Sequence, residues 1–357
     1  MASSISNAAY ETHTLHHDQP LDIYSLKHLP ESYTWQEFGK FPMKDWTASE
    51  TMPIIDLDDP KAMELIGNAC KTWGIFQLTN HGIPKKLLDD IEKSSREIFA
   101  LPLEQKLKVS KLPNGGIAGY GRPAIDSTYT QRTWSEGFTV AGSPIKYFPQ
   151  LWPEDYIKYC DLYEEFEKRM RELAAKILWL CLGALGISKS DINWAGQNGQ
   201  FETAESAIHL NSYPSCPDPD RTVGLPPDTD SSIFTILHQK TVGLKILRNE
   251  TEWLWVPVIP GALVVNVGDF LHILSNGLYP SVIHQAVVNR TQHRLTMAFF
   301  YGAPPKFTLS PVSKLVGPGE TPLYRSTTWQ EYLKIKAEGN FTALSKIRSS
   351  APLNESE

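Results

Sequence analysis

The segment Leu225-Pro-Pro-Asp-Thr-Asp230 places two aspartates two positions apart in the part of the chain that is rich in strand-forming residues. His284 follows 54 positions after Asp230, and Arg294-Leu-Thr296 begins ten positions after His284. Each of these residues lies in or beside a short apolar run. The pattern therefore indicates a site assembled across several strands, and its surroundings decide the fold.

Short apolar or alternating runs continue through the chain after about residue 205, separated by turn residues such as Pro260-Gly261 and Asn276-Gly277. Many short strands at this spacing are typical of a sandwich or barrel of the jelly-roll kind. The predicted strands cover residues 207–213, 232–238, 244–247, 253–258, 262–267, 281–288 and 294–301.

The preceding half of the chain alternates between strand and helix patterns. Apolar residues at helical spacing predict helices over residues 60–73, 84–109 and 153–185, and short apolar runs predict strands at 52–57 and 74–79. The predicted organisation is an irregular N-terminal arm (1–50), a helix-rich region (51–200), a jelly-roll domain (201–340) and a C-terminal tail (341–357).

The composition excludes several classes of protein. Lys and Arg total 34 against 40 Asp and Glu, so the net charge of −6 disfavours binding to nucleic acid or to anionic membranes. No apolar run is long enough to span a bilayer, and residues 1–20 lack the pattern of a signal peptide. Four widely spaced cysteines suit reduced thiols in a cytoplasmic protein, for which we expect a monomer.

The spacing of Asp230, His284 and Arg294 resembles the plant iron(II)/2-oxoglutarate-dependent dioxygenases, which carry His-x-Asp, a distant His and then Arg-x-Ser. The resemblance extends over roughly residues 50–340 and includes further landmarks. Those of the whole family are Ile54–Leu57, Trp73–Gln77, Asn80–Gly82, Asp218–Arg221, Val264–Asp269 and Leu274–Gly277, whereas Gly119–Gly121 and Trp134–Thr139 are similar to the gibberellin 3-oxidase branch.

The resemblance implies a double-stranded β-helix, a jelly-roll or cupin-like core with supporting helices, in an α+β or mainly β protein. It implies Fe(II) held by an Asp and His set, and 2-oxoglutarate held by an arginine fork and a nearby hydroxyl. The implied 2-oxoglutarate site is Arg294, Thr296, Tyr213 and Asn211, and the implied substrate pocket includes Phe300, Trp134 and Phe138.

The chain departs from the family pattern at Asp228, where the resemblance predicts the first histidine ligand. Pro226 and Pro227 precede it, and Gln285 follows His284 where the gibberellin oxidases carry arginine. A carboxylate is itself a good ligand for Fe(II). Aspartate is shorter than histidine by roughly 1 Å, however, and a site loosened by that amount commonly fails.

Three interpretations remain open from the sequence. The first is an iron-dependent dioxygenase that uses Asp228, Asp230 and His284 on a small, rigid terpenoid or alkaloid, and we favour it. The second is a metal-independent isomerase or cyclase in which the same three residues transfer protons. The third is a catalytically silent protein that binds a gibberellin-like ligand or a protein partner.

Overall fold

Two β-sheets face each other in the computed structural model and enclose an apolar interior. The structure describes residues 22–35, 43–44, 51–112, 116–121, 131–192, 194–196, 199, 201–304, 306–339 and 342–349. Most of the predicted arm and half of the predicted tail lie outside these ranges. No helix within them is long and apolar enough to cross a membrane.

Fifteen strands are described. They are β1 (Met43–Lys44), β2 (Ile54–Asp56), β3 (Ile75–Thr79), β4 (Gly119–Gly121), β5 (Glu136–Ala141), β6 (Glu205–Tyr213), β7 (Leu225–Asp228), β8 (Phe234–Gln239), β9 (Leu244–Arg248), β10 (Glu252–Trp255), β11 (Leu263–Val267), β12 (His284–Ala286), β13 (Arg294–Gly302), β14 (Thr308–Leu309) and β15 (Thr327–Thr328).

Eight of these strands form the larger sheet, in the order β2-β3-β11-β8-β13-β6-β5-β4. Five form the smaller sheet, in the order β1-β10-β9-β12-β7. Every pair is antiparallel except β2 with β3 and β1 with β10. The predicted double-stranded β-helix with supporting helices is confirmed.

Eight α-helices are described, of which Ala62–Thr72, Lys85–Ala100 and Tyr156–Ala184 contact strands of the larger sheet. They are α1 (Ala62–Thr72), α2 (Lys85–Ala100), α3 (Leu103–Leu107), α4 (Phe148–Leu151), α5 (Tyr156–Ala184), α6 (Asp269–Leu274), α7 (Trp329–Gly339) and α8 (Ala343–Lys346). The long α5 packs against α1, α2 and α4. Leu101 is extended because Pro102 follows it, so the single helix predicted over residues 84–109 is divided into α2 and α3.

Side-chain alternation along the central strands separates the two faces of the larger sheet. On β6, Ile208 and Leu210 join the core beneath the helices, whereas His209, Asn211 and Tyr213 have the opposite parity and face the barrel interior. The apolar part of that interior is formed by Ile75, Leu237, Leu244, Ile246, Leu254, Val264 and Ala298, with Phe300 packed against them.

Candidate active site

Arg294 provides a buried cation at one end of the barrel. It begins β13, directly opposite Tyr213 of β6, and is only 2% exposed. Its Nη2 donates to Gln239 Oε1 over 2.9 Å, and its Nε donates to the Thr241 carbonyl over 3.2 Å. Within the described part of the chain, neither its Nη1 nor Gln239 Nε2 has a hydrogen-bond partner. Two buried donors are therefore left for an anion.

Residues of β6 and β13 surround this guanidinium group. The Arg294 guanidinium carbon lies 5.0 Å from the centre of the Tyr213 ring. Burial raises the pKa of Tyr213, although Arg294 opposes the shift, so the hydroxyl stays protonated and able to donate. Asn211 Nδ2 donates to Thr296 Oγ1 over 3.3 Å. The structure thus brings together all four residues predicted for the 2-oxoglutarate carboxylate.

Asp230 and His284 meet at a second position in the barrel. His284 Nε2 lies 3.8 Å from Asp230 Oδ1, and Asp230 Oδ2 accepts a hydrogen bond from Asn266 Nδ2 over 3.2 Å. His284 Nδ1 is 3.2 Å from the Val282 carbonyl. Because a carbonyl oxygen only accepts, this contact places the proton on Nδ1 and leaves the Nε2 lone pair for a metal.

Asp228 is the cross-strand neighbour of His284, at the end of β7. Its Oδ1 is buried, has no hydrogen-bond partner among the described residues, and lies 3.6 Å from Lys336 Nζ. Burial raises the pKa of Asp228 to about 6, against the opposing charges of Lys336 and His284. Among the described residues, no three His, Cys, Asp or Glu side chains converge as a ready metal-ligand set.

The three residues predicted for the substrate pocket lie in different places. Phe300 packs against the apolar interior, with its ring 6.1 Å from that of His209. Phe138 has the opposite parity on β5, and its ring contacts Tyr147 and Phe148 in the core beneath the helices. Phe138 thus faces the core beneath the helices, since one step along a strand reverses the face, and its pocket role stays a prediction.

Trp134 is also a packing residue. It is completely buried between Tyr33 and Tyr213, and its Nε1 donates to the Pro214 carbonyl over 3.2 Å. The indole belongs to the same buried cluster as Tyr213, and its part in a substrate pocket stays a prediction.

Comparisons with known proteins agree with this geometry. Residues 204–303 match the 2OG-Fe(II) oxygenase superfamily, and residues 52–155 match the N-terminal region described as non-haem dioxygenase in morphine synthesis. The chain is 48% identical to gibberellin 3-beta-dioxygenase 1 of Pisum sativum, over 97% of this chain and 94% of that relative. It is 46% identical to gibberellin 3-beta-dioxygenase 2 of Arabidopsis thaliana, over 98% of this chain and 100% of that relative.

The chain belongs to the 2OG-Fe(II) oxygenase superfamily. A solved structure, JOX2 in complex with 2OG, Fe and JA, matches with a TM-score of 0.79 and 29% identity, over 91% of this chain and 95% of that chain. The predicted likeness to gibberellin 3-oxidases is confirmed, and the chain is an oxidoreductase of this family.

Fe(II) and 2-oxoglutarate are the cofactor and co-substrate of the 2OG-Fe(II) oxygenase superfamily. The residues present fit both groups. Donors of Arg294 and Gln239 that have no partner among the described residues suit a carboxylate. The acceptors Asp228 Oδ1, Asp269 Oδ1 and Asn266 Oδ1, which also lack a partner among those residues, suit a cation. Asp230 and His284 are the pair that would hold the metal, and the ligand role predicted for Asp228 depends on its separation from Lys336.

Sequence reasoning missed two polar residues at the 2OG-Fe(II) oxygenase site. His209 lies two positions before Asn211 on the same face of β6, so strand alternation could have found it. Its Nδ1 is 2.6 Å from Thr139 Oγ1, and burial, assisted by the charge of Lys111, lowers its pKa to about 3. Lys336 lies on α7, which no periodic pattern had predicted.

Proposed function

We propose that the protein is a 2-oxoglutarate-dependent dioxygenase that oxidises a gibberellin-like diterpenoid acid. The observation that carries the proposal is the buried guanidinium group of Arg294, whose Nη1 has no hydrogen-bond partner among the residues that the structure describes. A buried cation of this kind is costly unless an anion joins it. The substrate class is supported by gibberellin 3-beta-dioxygenases that match nearly the whole chain.

The anion end would hold the far carboxylate of 2-oxoglutarate. Arg294 Nη1 and the protonated hydroxyl of Tyr213 are the donors for this carboxylate. The hydroxyl of Thr296 lies on the same face of β13 as Arg294. Asn211 orients that hydroxyl by donating to it. A charged fork combined with neutral hydroxyl donors favours a dicarboxylate in one orientation.

The metal end would hold Fe(II) through Asp230 Oδ1 and His284 Nε2, with Asp228 as the candidate third ligand. Asn266 fixes the Asp230 carboxylate, and the Val282 carbonyl fixes the tautomer of His284. When bound, Fe(II) and 2-oxoglutarate would supply the electrons that activate molecular oxygen, which is the oxidant of the reaction. The residues themselves orient the groups and exclude competing ligands.

The barrel interior suits a substrate that is largely apolar and has a few polar groups. Leu237, Leu244 and Phe300 belong to its apolar surface. His209 and Thr139 form a neutral hydrogen-bonding pair nearby, which can orient a hydroxyl or a carboxylic acid. These features, together with the gibberellin-like relatives, favour a rigid diterpenoid acid over an alkaloid.

A monomer in the cytoplasm completes the proposal. Cys70 Sγ and Cys181 Sγ are 3.6 Å apart without a bond, and all four cysteines are free and buried. Free buried thiols at this proximity suit a reducing compartment.

The proposal is tested with purified full-length protein, Fe(II), 2-oxoglutarate and a panel of gibberellin precursors. We expect succinate release coupled to a product one oxygen atom heavier or two hydrogen atoms lighter, dependent on Fe(II) and oxygen. Arg294→Ala should abolish both signals at low co-substrate. Arg290→Ala, which removes an exposed arginine paired with Asp220, is the matched control.

Two other outcomes would overturn the proposal. Turnover that persists anaerobically and in the presence of a chelator would assign proton transfer to Asp228, Asp230 and His284. Ligand binding without turnover in any condition would assign a silent binding role.

A further inference from the structure

Helix α7 brings a lysine to the metal end of the barrel. Lys336 is only 9% exposed, and its Nζ donates to the Thr229 carbonyl over 3.0 Å, to Asp269 Oδ2 over 2.8 Å and to Thr229 Oγ1. An ammonium group has three hydrogens, and these three acceptors use all of them. The lysine is therefore fixed in place.

The same ammonium group lies 3.6 Å from Asp228 Oδ1. Since its hydrogens are already used, it acts on Asp228 through charge, and Asp228 Oδ1 keeps no hydrogen-bond partner among the described residues. Burial alone would lower the pKa of Lys336, but Asp269 and Asp228 raise it, so the group stays cationic. Asp228 thus has a permanent positive neighbour where a metal ligand is predicted.

Asp269 is the second carboxylate that Lys336 neutralises. It is completely buried, and its Oδ2 also accepts hydrogen bonds from Tyr332 and Thr229. Asp269 Oδ2 therefore accepts three hydrogen bonds, whereas Asp228 Oδ1 accepts none from the described residues and interacts with Lys336 through charge. Of the two carboxylates, Asp228 is the one whose interaction with Lys336 is mainly electrostatic.

We propose that Lys336 is a positioning residue that serves as a built-in counter-ion for Asp228 and thereby sets how tightly this altered site holds a divalent metal. An entering metal must share the Asp228 carboxylate with a fixed ammonium group, and it is also repelled by that group. The inference adds regulation of the metal end to the proposed function. Metal binding measured without co-substrate or substrate separates its failure from failure of that function.

The experiment titrates metal-free full-length protein with Mn²⁺ alone in a calorimeter. We expect Lys336→Met to tighten binding by about tenfold, because one nearby positive charge is removed. Lys336→Arg keeps the charge and should leave the affinity within about twofold of wild type. Lys334→Met removes an exposed lysine two positions away on α7 and should change nothing.

A double-mutant cycle assigns the effect to Asp228. In Asp228→Asn, the additional Lys336→Met change should tighten Mn²⁺ binding much less than it does in the wild-type background. Equal tightening in both backgrounds, or no tightening in Lys336→Met with an unchanged melting temperature, would overturn the proposal. If Lys336→Met does not fold, Lys336→Met/Asp269→Asn removes the carboxylate that would otherwise be left without its cation, and the same comparison applies.

Discussion

The two ends of the barrel differ in the kind of buried polar atom that lacks a hydrogen-bond partner among the described residues. In the described part of the chain, the buried atoms without partners at the anion end are the donors Arg294 Nη1 and Gln239 Nε2. At the metal end, with the same restriction to described residues, they are the acceptors Asp228 Oδ1, Asp269 Oδ1 and Asn266 Oδ1. Buried polar groups are normally satisfied, so unpartnered donors suit an anion and unpartnered acceptors suit a cation. The comparison supports the proposal that the barrel binds 2-oxoglutarate and Fe(II) at separate positions.

The ends also differ in how far they follow the family pattern. Arg294, Thr296, Tyr213 and Asn211 occupy expected offsets and meet in the structure. Asp228 stands where the resemblance predicts the first histidine ligand, and its Oδ1 lies 3.6 Å from Lys336 Nζ. The anion end is thus ready for its ligand, whereas the metal end includes an internal competitor for the incoming ion.

The largest expected effect is at the anion end. Arg294→Ala should weaken 2-oxoglutarate binding by about 2–4 kcal/mol, because it removes a charged, bidentate contact from a buried site. Calorimetry with 2-oxoglutarate measures the change, with Arg290→Ala as the control. An unchanged affinity would show that Arg294 does not bind 2-oxoglutarate. The proposed difference between the two ends would then be wrong.

A smaller effect is expected at the metal end. Asp228→His should tighten Mn²⁺ binding by roughly tenfold, or about 1.4 kcal/mol, because it supplies a neutral imidazole that does not attract Lys336. The same titration in Asp228→Asn is the control, since asparagine removes the charge without adding a nitrogen ligand. If Asp228→His and Asp228→Asn bind Mn²⁺ with the same affinity, the charge at position 228 alone sets the metal affinity.

The smallest effect is expected between the two ends, at His209. His209→Phe should weaken binding of a gibberellin-like acid by about 1 kcal/mol, since it removes one neutral hydrogen-bonding group. Burial lowers the pKa of His209 to about 3, so the imidazole stays neutral from pH 5 to 8 and takes up no proton there. The loss should therefore be the same at every pH in that range. A loss that grows below pH 6 would show that a charged His209 binds the acid.

The anion end could be predicted because it depends on residues within paired strands. A period of two along β6 and β13 brings Asn211, Tyr213, Arg294 and Thr296 to one face. The same rule places Phe138 on the opposite face of β5 from Gly137 and Thr139, which pair with Asn211 and His209. The pattern of a strand therefore predicts neighbours well once its buried face is known.

The metal end could be predicted only in part. Asp230 and His284 follow the spacing of the family, but Lys336 comes from a helix more than a hundred residues after Asp228. Helix α7 packs by tertiary contacts, and nothing near Asp228 in the sequence indicates a cation. Such a pair depends on long-range packing, which sequence periodicity does not report.

The most direct test is a crystal structure of the full-length protein with Mn²⁺ and 2-oxoglutarate, in which anomalous scattering locates the metal. The account predicts a 2-oxoglutarate carboxylate on Arg294, metal density beside Asp230 and His284, and the Asp228 carboxylate still paired with Lys336. Co-substrate density away from Arg294, or Asp228 bound to the metal with Lys336 displaced, would contradict it.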